Sequence, residues 1–487
     1  MHGGCCVKRG VVRSGYDDAG VSRNFLACDR EQAFLLPPSL DEWLPEDHFA
    51  RFVIAAVEAI DLSAFYGDYR ADGPGRPAHD PAMMVALLVY AYARGQRSSR
   101  VIERGCLEDI AFRVICANRQ PDHTTIARFR QRHERALAAL FGQVLGLCAQ
   151  AGLADVAVLA VDGTKVHANA SERATRDYQQ LAEEALKEAA EVDAADDERF
   201  GDRRGDELPA ELATAQGRKK WLEAARRRLD AQREQEARPI PQSRAARVRE
   251  AKRRLEEELA TEVRANAAYE AYRATGRMKN GRRFGSPPKP YTPPEQPAGK
   301  INVTDPDSRT LKTPRGFLQG YNAQAVCNEQ QIVVAAEVSV SSADFGQMGP
   351  MIDKARAELA AAGVTESPGI VLADAGYWHG EQIDELMGQG VQVLIPPDAD
   401  KRRGTRPGWD GGRYAFMRNV LDTPAGGELY AQRQQMIEPV FADTKFNRRA
   451  DRFLRRGRAA ARSEWRLITA TGNLLKLWRH ATAPAAA

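Results

Sequence analysis

No long apolar run exists in this chain: the longest, Ala82 to Ala93 (AMMVALLVYAYA), is 12 residues, too short to cross a bilayer as a helix. Residues 1–23 carry basic side chains but no apolar core, so no secretory leader is expected there. Cysteine is scarce and unpatterned, at 5, 6, 28, 106, 116, 148 and 327 with no CxxC. That excludes a disulfide framework or thiolate zinc site and points to free thiols in a reducing cytoplasm. The 8 histidines are dispersed, which argues against a His-built metal centre, and no Cys/His or Ser/His arrangement offers a protein nucleophile. Excess charge is also small, a net +4 over 487 residues. Its distribution is less even: between Lys445 and Arg479 many Lys and Arg face only Asp451 and Glu464, a density suited to a polyphosphate partner.

What is present fits a soluble globular protein of two to four domains, with 43% hydrophobic and 28% charged residues. Residues 1–30 read as a poorly ordered extension, and residues 31–152 as an all-helical domain. An amphipathic stretch runs from Phe49 to Ile60, and a Gly/Pro-rich loop spans 66–79. Asp80-Pro81 supplies an N-cap and a first-turn proline for a helix over 81–94. Ser98 and Ser99 open the next helix, and Asp122 caps a third that runs to Gly152. That third helix carries Arg128, Arg130, Arg132 and His133 near its start. A short helix, a turn and a basic capped helix suit entry into a DNA groove.

Strand signals begin at Val156–Val161, a β-branched apolar run expected to end at Asp162-Gly163. Residues 171–285 then turn to Ala, Glu, Arg and Lys, predicting a long helical insertion with no strand in it. A Pro-rich linker (286–300) closes it. A hairpin is expected from Gly320–Cys327 and Ile332–Val340, then a helix (Gln347–Ala362), a strand to Asp374, a helix (Gly380–Gly390), a strand (Val391–Ile395) and closing helices from Leu429 to His480. The predicted fold class is α/β: an RNase H-like core over 153–170 and 301–480, fronted by the helical domain, with the helical insertion between its first and second strands.

Two predicted strands end in Asp followed by small residues, VDGTK at Asp162 and LADAGY at Asp374. Carboxylates placed there stand on a rigid edge that a cation and a substrate backbone can approach. Magnesium favours oxygen ligands and usually takes one or two carboxylates plus substrate oxygens. A third carboxylate is sought in YAQRQQMIEPVFADTKFNRRADR. Glu438 and Lys445 are seven apart and would share a helix face, Glu438 toward the metals and Lys445 toward DNA; Asp443 would point elsewhere. Asp305 reads as a turn residue, His167 and Asn169 as solvated loop residues, and Tyr377 and Trp378 as packing beneath Asp374.

On VDGTKV, LADAGYW and the cluster Tyr430, Arg433, Glu438 and Lys445, the chain resembles the DDE transposases of bacterial insertion sequences, in the branch with a helical amino-terminal domain. The resemblance covers roughly residues 30–480. The family's third block has three residues between its Arg and Glu; this chain has four between Arg433 and Glu438. The resemblance implies catalysis and metal binding by Asp162, Asp374 and Glu438, with two Mg2+ or Mn2+ ions. It implies cleavage and transfer of double-stranded DNA at terminal inverted repeats, a homodimer on DNA, and a nucleoid-associated cytoplasmic protein. DNA contacts are expected from Lys445, Arg433, Arg128, Arg132, Arg448, Arg449, Arg452 and Arg455. Two other readings remain open on these residues: a DNA-binding regulator that has kept the fold without the chemistry, and an RNase H-like nuclease.

Overall fold

The computed structural model describes residues 39–67, 69, 78–185, 240–241, 243–276, 290–313, 316–397 and 411–483. The expected extension at 1–30, most of the insertion between 186 and 239, and the loop at 398–410 lie outside these residues.

The amino-terminal part is helical: α1 (Phe49–Glu58), α2 (Ser63–Tyr66), α3 (Pro81–Ala93), α4 (Ser99–Glu108), α5 (Ile110–Ile115), α6 (His123–Arg132) and α7 (Glu134–Gln150). Asp80 caps α3 by accepting from the Met83 N–H at 3.3 Å. Asp122 caps α6 through the Thr125 N–H at 2.8 Å. The single helix expected from Asp122 to Gly152 is broken at His133, which caps α6 with φ −99° and ψ 29°. Its ring is buried against Phe65 and Phe129, so tertiary packing overrides the continuous local pattern.

The core strand β1 (Val158–His167) follows. It is longer than expected: the strand runs past Asp162, paired antiparallel with β5 as far as His167↔Gly320. The segment from 171 to 300 opens with β2 (Thr175–Asp177), is helical at 178–185, continues in α8 (Arg244–Ala274) and closes with β3 (Lys300–Asn302). β2 and β3 pair antiparallel, correcting the expectation that this stretch holds no strand. Three-residue polar strands leave no periodic signal. Here Leu181, Val248, Ala251, Leu255, Ile301 and Val303 form a second small core. The Pro-rich segment is irregular at 290–299 as expected, and Tyr291 is buried beside α8.

The remaining elements are β4 (Arg309–Thr313), β5 (Gly316–Asn328), β6 (Val333–Ser339), α9 (Met348–Ala361), β7 (Ile370–Leu372), α10 (Gly380–Gly388), β8 (Gln392–Leu394), α11 (Gly412–Leu421), α12 (Pro424–Ala442), a π turn (Asp443–Asn447) and α13 (Arg458–Thr482). The sheet runs β4-β5-β1-β7-β8, with β6 also on β5. It is mixed: β5 is antiparallel to β1, β4 and β6, while β7 and β8 run parallel to β1. One apolar core joins helical part and sheet. α13 is central to it, with Trp465 fully buried and its indole N–H donated to the Gln324 carbonyl at 2.9 Å. No described helix is long and apolar enough to cross a membrane.

Candidate active site

The site forms where the sheet opens. β7 accompanies β1 only from Val158↔Ile370 to Ala160↔Leu372; beyond Leu372 the chain turns away, and the β1 edge is uncovered as it reaches Asp162. Asp374 stands at that departure. It caps a 3-10 turn, Ala375–Tyr377, accepting from the Gly376 N–H at 2.8 Å. Asp162 is therefore mid-strand rather than at a strand end, and the exposed edge comes from its shorter neighbour.

Asp162 accepts the Gly163 N–H at 2.7 Å and an Arg433 guanidinium N–H at 3.0 Å. Burial is the main cause raising its pKa to about 6; Arg433 opposes the rise, and the negative charge of Asp374 adds to it. The two carboxylates are thus electrostatic neighbours. Arg433 comes from α12, is 8% exposed, and leaves its Nε buried without a hydrogen-bond partner among the described residues. Its guanidinium lies 5.9 Å from the Tyr430 ring.

Glu438 is placed differently. The buried face of α12 is Arg433, Met436, Ile437 and Val440, and Glu438 is exposed, about 100° around the helix from Ile437. Its seven-residue spacing to Lys445 spans Pro439 and enters the π turn, whose wider winding breaks the α-helical register. Lys445 donates to the Lys165 carbonyl of β1 at 2.9 Å, and burial lowers its pKa. The structure brings together Asp162, Asp374 and Arg433, not Glu438. Among the described residues no group of three or more His, Cys, Asp or Glu could hold a metal ion. Two carboxylates near enough for one to raise the other's pKa are oxygen donors of the kind a divalent cation takes alongside water or phosphate oxygens.

The expected DNA contacts divide. Arg128 and Arg132 are exposed on α6, Arg132 lying 4.5 Å over the Tyr69 ring. Arg130 is buried and donates to the Tyr92 hydroxyl at 3.1 Å and the Arg97 carbonyl at 2.7 Å. Arg449 and Arg452 are exposed, and Arg452 donates to the Ala168 carbonyl at 3.0 Å. The structure corrects the reading of Arg448, which is 5% exposed. Its guanidinium binds Asp443 at 2.8 Å, the Ile468 carbonyl at 2.7 Å, and the Thr444 and Thr471 hydroxyls, so it joins the π turn to α13 and is not presented to a phosphate. Arg455 is likewise held by Glu134. The segment expected to be a basic tail is largely folded: Arg466 pairs with Glu358 at 2.6 Å and Arg462 with Glu337 at 3.0 Å.

His167 and Asn169, expected to be solvated, are tied to the 451–454 segment. The His167 carbonyl accepts the Phe453 N–H at 2.8 Å, and Asn169 donates to the Leu454 carbonyl at 2.7 Å. Both line an open cleft of about 700 Å³ with Arg173, Arg452 and Arg456. Asp305 is buried and accepts the Tyr321 hydroxyl at 2.8 Å, a structural role as expected. Tyr377 is fully buried behind Asp374. Not anticipated was a polar group on β1, β5 and the loop after β6: Lys165, Asn322, Gln324 and Asp344. Its signal was available, since Asn322 and Gln324 alternate within an otherwise apolar strand and so share one face.

A family model described as Transposase domain (DUF772) matches residues 38–132, and one described as Transposase DDE domain matches residues 298–474. No curated protein and no solved structure matches the chain. Both matched domains are transposase domains, which sets the class of protein. The chain belongs to the DDE transposases of insertion-sequence type. A DDE domain implies an RNase H-like core, with which the mixed sheet agrees, and the family generally uses divalent metal ions.

Proposed function

We propose that this protein binds the terminal inverted repeats of an insertion sequence and catalyses metal-dependent DNA strand cleavage and strand transfer. The observation that carries this reading is the Asp162–Asp374 pair at the sheet opening, with the Arg433 guanidinium on Asp162. Asp162 and Asp374 would hold the divalent cation, Mg2+ or Mn2+, and Glu438 would join them. Such a cation supplies charge for a phosphoryl oxygen and lowers the pKa of bound water, and two-ion sites clamp both attacking and leaving oxygens.

The chain's own groups have distinct tasks. Asp162 and Asp374 present oxygen ligands on a backbone fixed by the β1–β5 and β1–β7 ladders. Arg433 holds Asp162 through its guanidinium. Glu438, exposed on the same helix, stands about 140° around it from Arg433, so it would reach the cation only after α12 rotates on DNA binding. Arg128 and Arg132 on α6, with Lys445, Arg449 and Arg452 beside the β1 end, would grip the duplex backbone and position it without reading bases. The segment between β1 and β4 acts as a helical insertion, and holding two element ends together calls for a homodimer on DNA.

Asp162→Asn keeps the shape of the side chain and removes the charge. With Mg2+ it should abolish nicking of DNA bearing the element's ends while leaving end binding within a few-fold. Nicking at the wild-type rate by the variant would end this assignment.

A further inference from the structure

The polar group behind the two aspartates has a common centre. Asp344, in the loop between β6 and α9, accepts from Asn322 and Gln324 at 2.7 Å each, all at its Oδ1, and pairs with Lys165 at 3.3 Å. Gln324 in turn accepts the Tyr377 hydroxyl, and Tyr377 ends the turn that Asp374 caps. Side chains from β1, β5, the 344 loop and the Asp374 turn are therefore joined through one carboxylate oxygen.

That oxygen lies against the backbone that follows Asp162. A Cβ added at Gly163 would stand 2.6 Å from Asp344 Oδ1 and 2.8 Å from Asn322 Oδ1. At Gly376, two residues after Asp374, an added Cβ would meet Asp374 Oδ1 at 2.9 Å and Asp344 Cβ at 3.9 Å. A glycine beside each aspartate is thus where Asp344 and its partners come close, and any side chain at 163 would push the group away. Asn322, fully buried, gives its amide N–H to Asp344 and leaves its own Oδ1 without a partner among the described residues. An unmet buried acceptor is destabilising, and such groups in a native fold call for a reason. Orienting Asp344 supplies one.

We propose that Asp344 is a positioning residue for the carboxylate pair: it holds Gly163 and, through Gln324 and Tyr377, the Asp374 turn, so that Asp162 and Asp374 face one cation. This inference rests on the reading of that pair as the cation site. The partners that orient ligands commonly change metal affinity by about 10- to 100-fold when removed, which sets the size of the effect.

The test is Mn2+ binding to the full-length, DNA-free protein, titrated alongside melting temperature and end-DNA affinity. Asp344→Ala should weaken Mn2+ binding about 10- to 100-fold with DNA affinity unchanged. Tyr377→Phe, which removes one hydroxyl and keeps the ring, should weaken it in the same direction even if the alanine variant folds poorly. Asp344→Asn retains an oxygen acceptor for both amides and should restore most of the affinity. Wild-type Mn2+ affinity in both Asp344→Ala and Tyr377→Phe would overturn the proposal. Asp344→Asn as weak as the alanine variant, at wild-type melting temperature, would make Asp344 a direct ligand and also overturn it. Asp162→Asn separates the two levels: if it too binds Mn2+ normally, the cation-site reading has failed; if it alone loses binding, only the positioning role has.

Discussion

Replacing Asp162 by Asn should make the cation-free protein more stable while making it inactive. Folding raises the Asp162 pKa from 3.8 to about 6, chiefly by burial, with Asp374 adding to the rise. The folded state thus binds this proton more tightly than the unfolded chain. Stability is lost as pH rises from about 4 to about 6, and the full cost is present above that range. Two pKa units at 1.36 kcal/mol each amount to about 3 kcal/mol, an upper figure because Arg433 must then face an amide. The side chain is 19% exposed, so solvent screening removes only part of it. With an unfolding entropy of about 2.1 cal/mol/K per residue, a chain of this length unfolding as one unit would gain about 3 °C. The assay is thermal and urea unfolding of both proteins in EDTA at pH 7.5 and pH 4.5. The variant should be the more stable at pH 7.5, with the difference shrinking toward pH 4.5, and added Mn2+ should raise the wild type alone. A variant that is less stable at pH 7.5 in EDTA would refute the picture of a carboxylate held charged at a cost.

Other expectations follow from single contacts. Gly163→Ala would force a Cβ to within 2.6 Å of Asp344, an overpacking worth about 1–3 kcal/mol, read as a lower urea midpoint. Arg448→Ala should destabilise by about 2–4 kcal/mol by stranding buried acceptors, yet leave the salt dependence of DNA binding unaltered; a changed salt slope would restore Arg448 as a phosphate contact. Arg452→Gln should leave stability within about 0.5 kcal/mol and reduce the log–log salt slope of end binding by about one. An unchanged slope would remove Arg452 from the interface.

Much of this architecture is legible in the sequence because its strands are apolar runs and its helices carry explicit caps. Asp80 and Asp122 start helices as their residue type predicts, and the strands at 320–327, 332–340, 369–374 and 391–395 correspond to β5, β6, β7 and β8. The short strands β2, β3 and β4 were not legible, since three to five residues with polar side chains give no period. Asp162 illustrates a subtler failure. A Gly after an apolar run reads as the end of a strand, but here it makes room for Asp344 while the strand continues. Charge type alone did not separate Arg448, buried in a structural network, from Arg452, which is exposed. The i, i+7 argument joining Glu438 to Lys445 assumed unbroken α-helix, and a π turn intervenes.

The most direct test of the central claim is where a manganese ion sits, located by its anomalous scattering in crystals of the protein with end DNA. Density should be bonded to carboxylate oxygens of both Asp162 and Asp374. Manganese bound elsewhere at saturating concentration, with neither carboxylate in contact with it, would overturn the assignment.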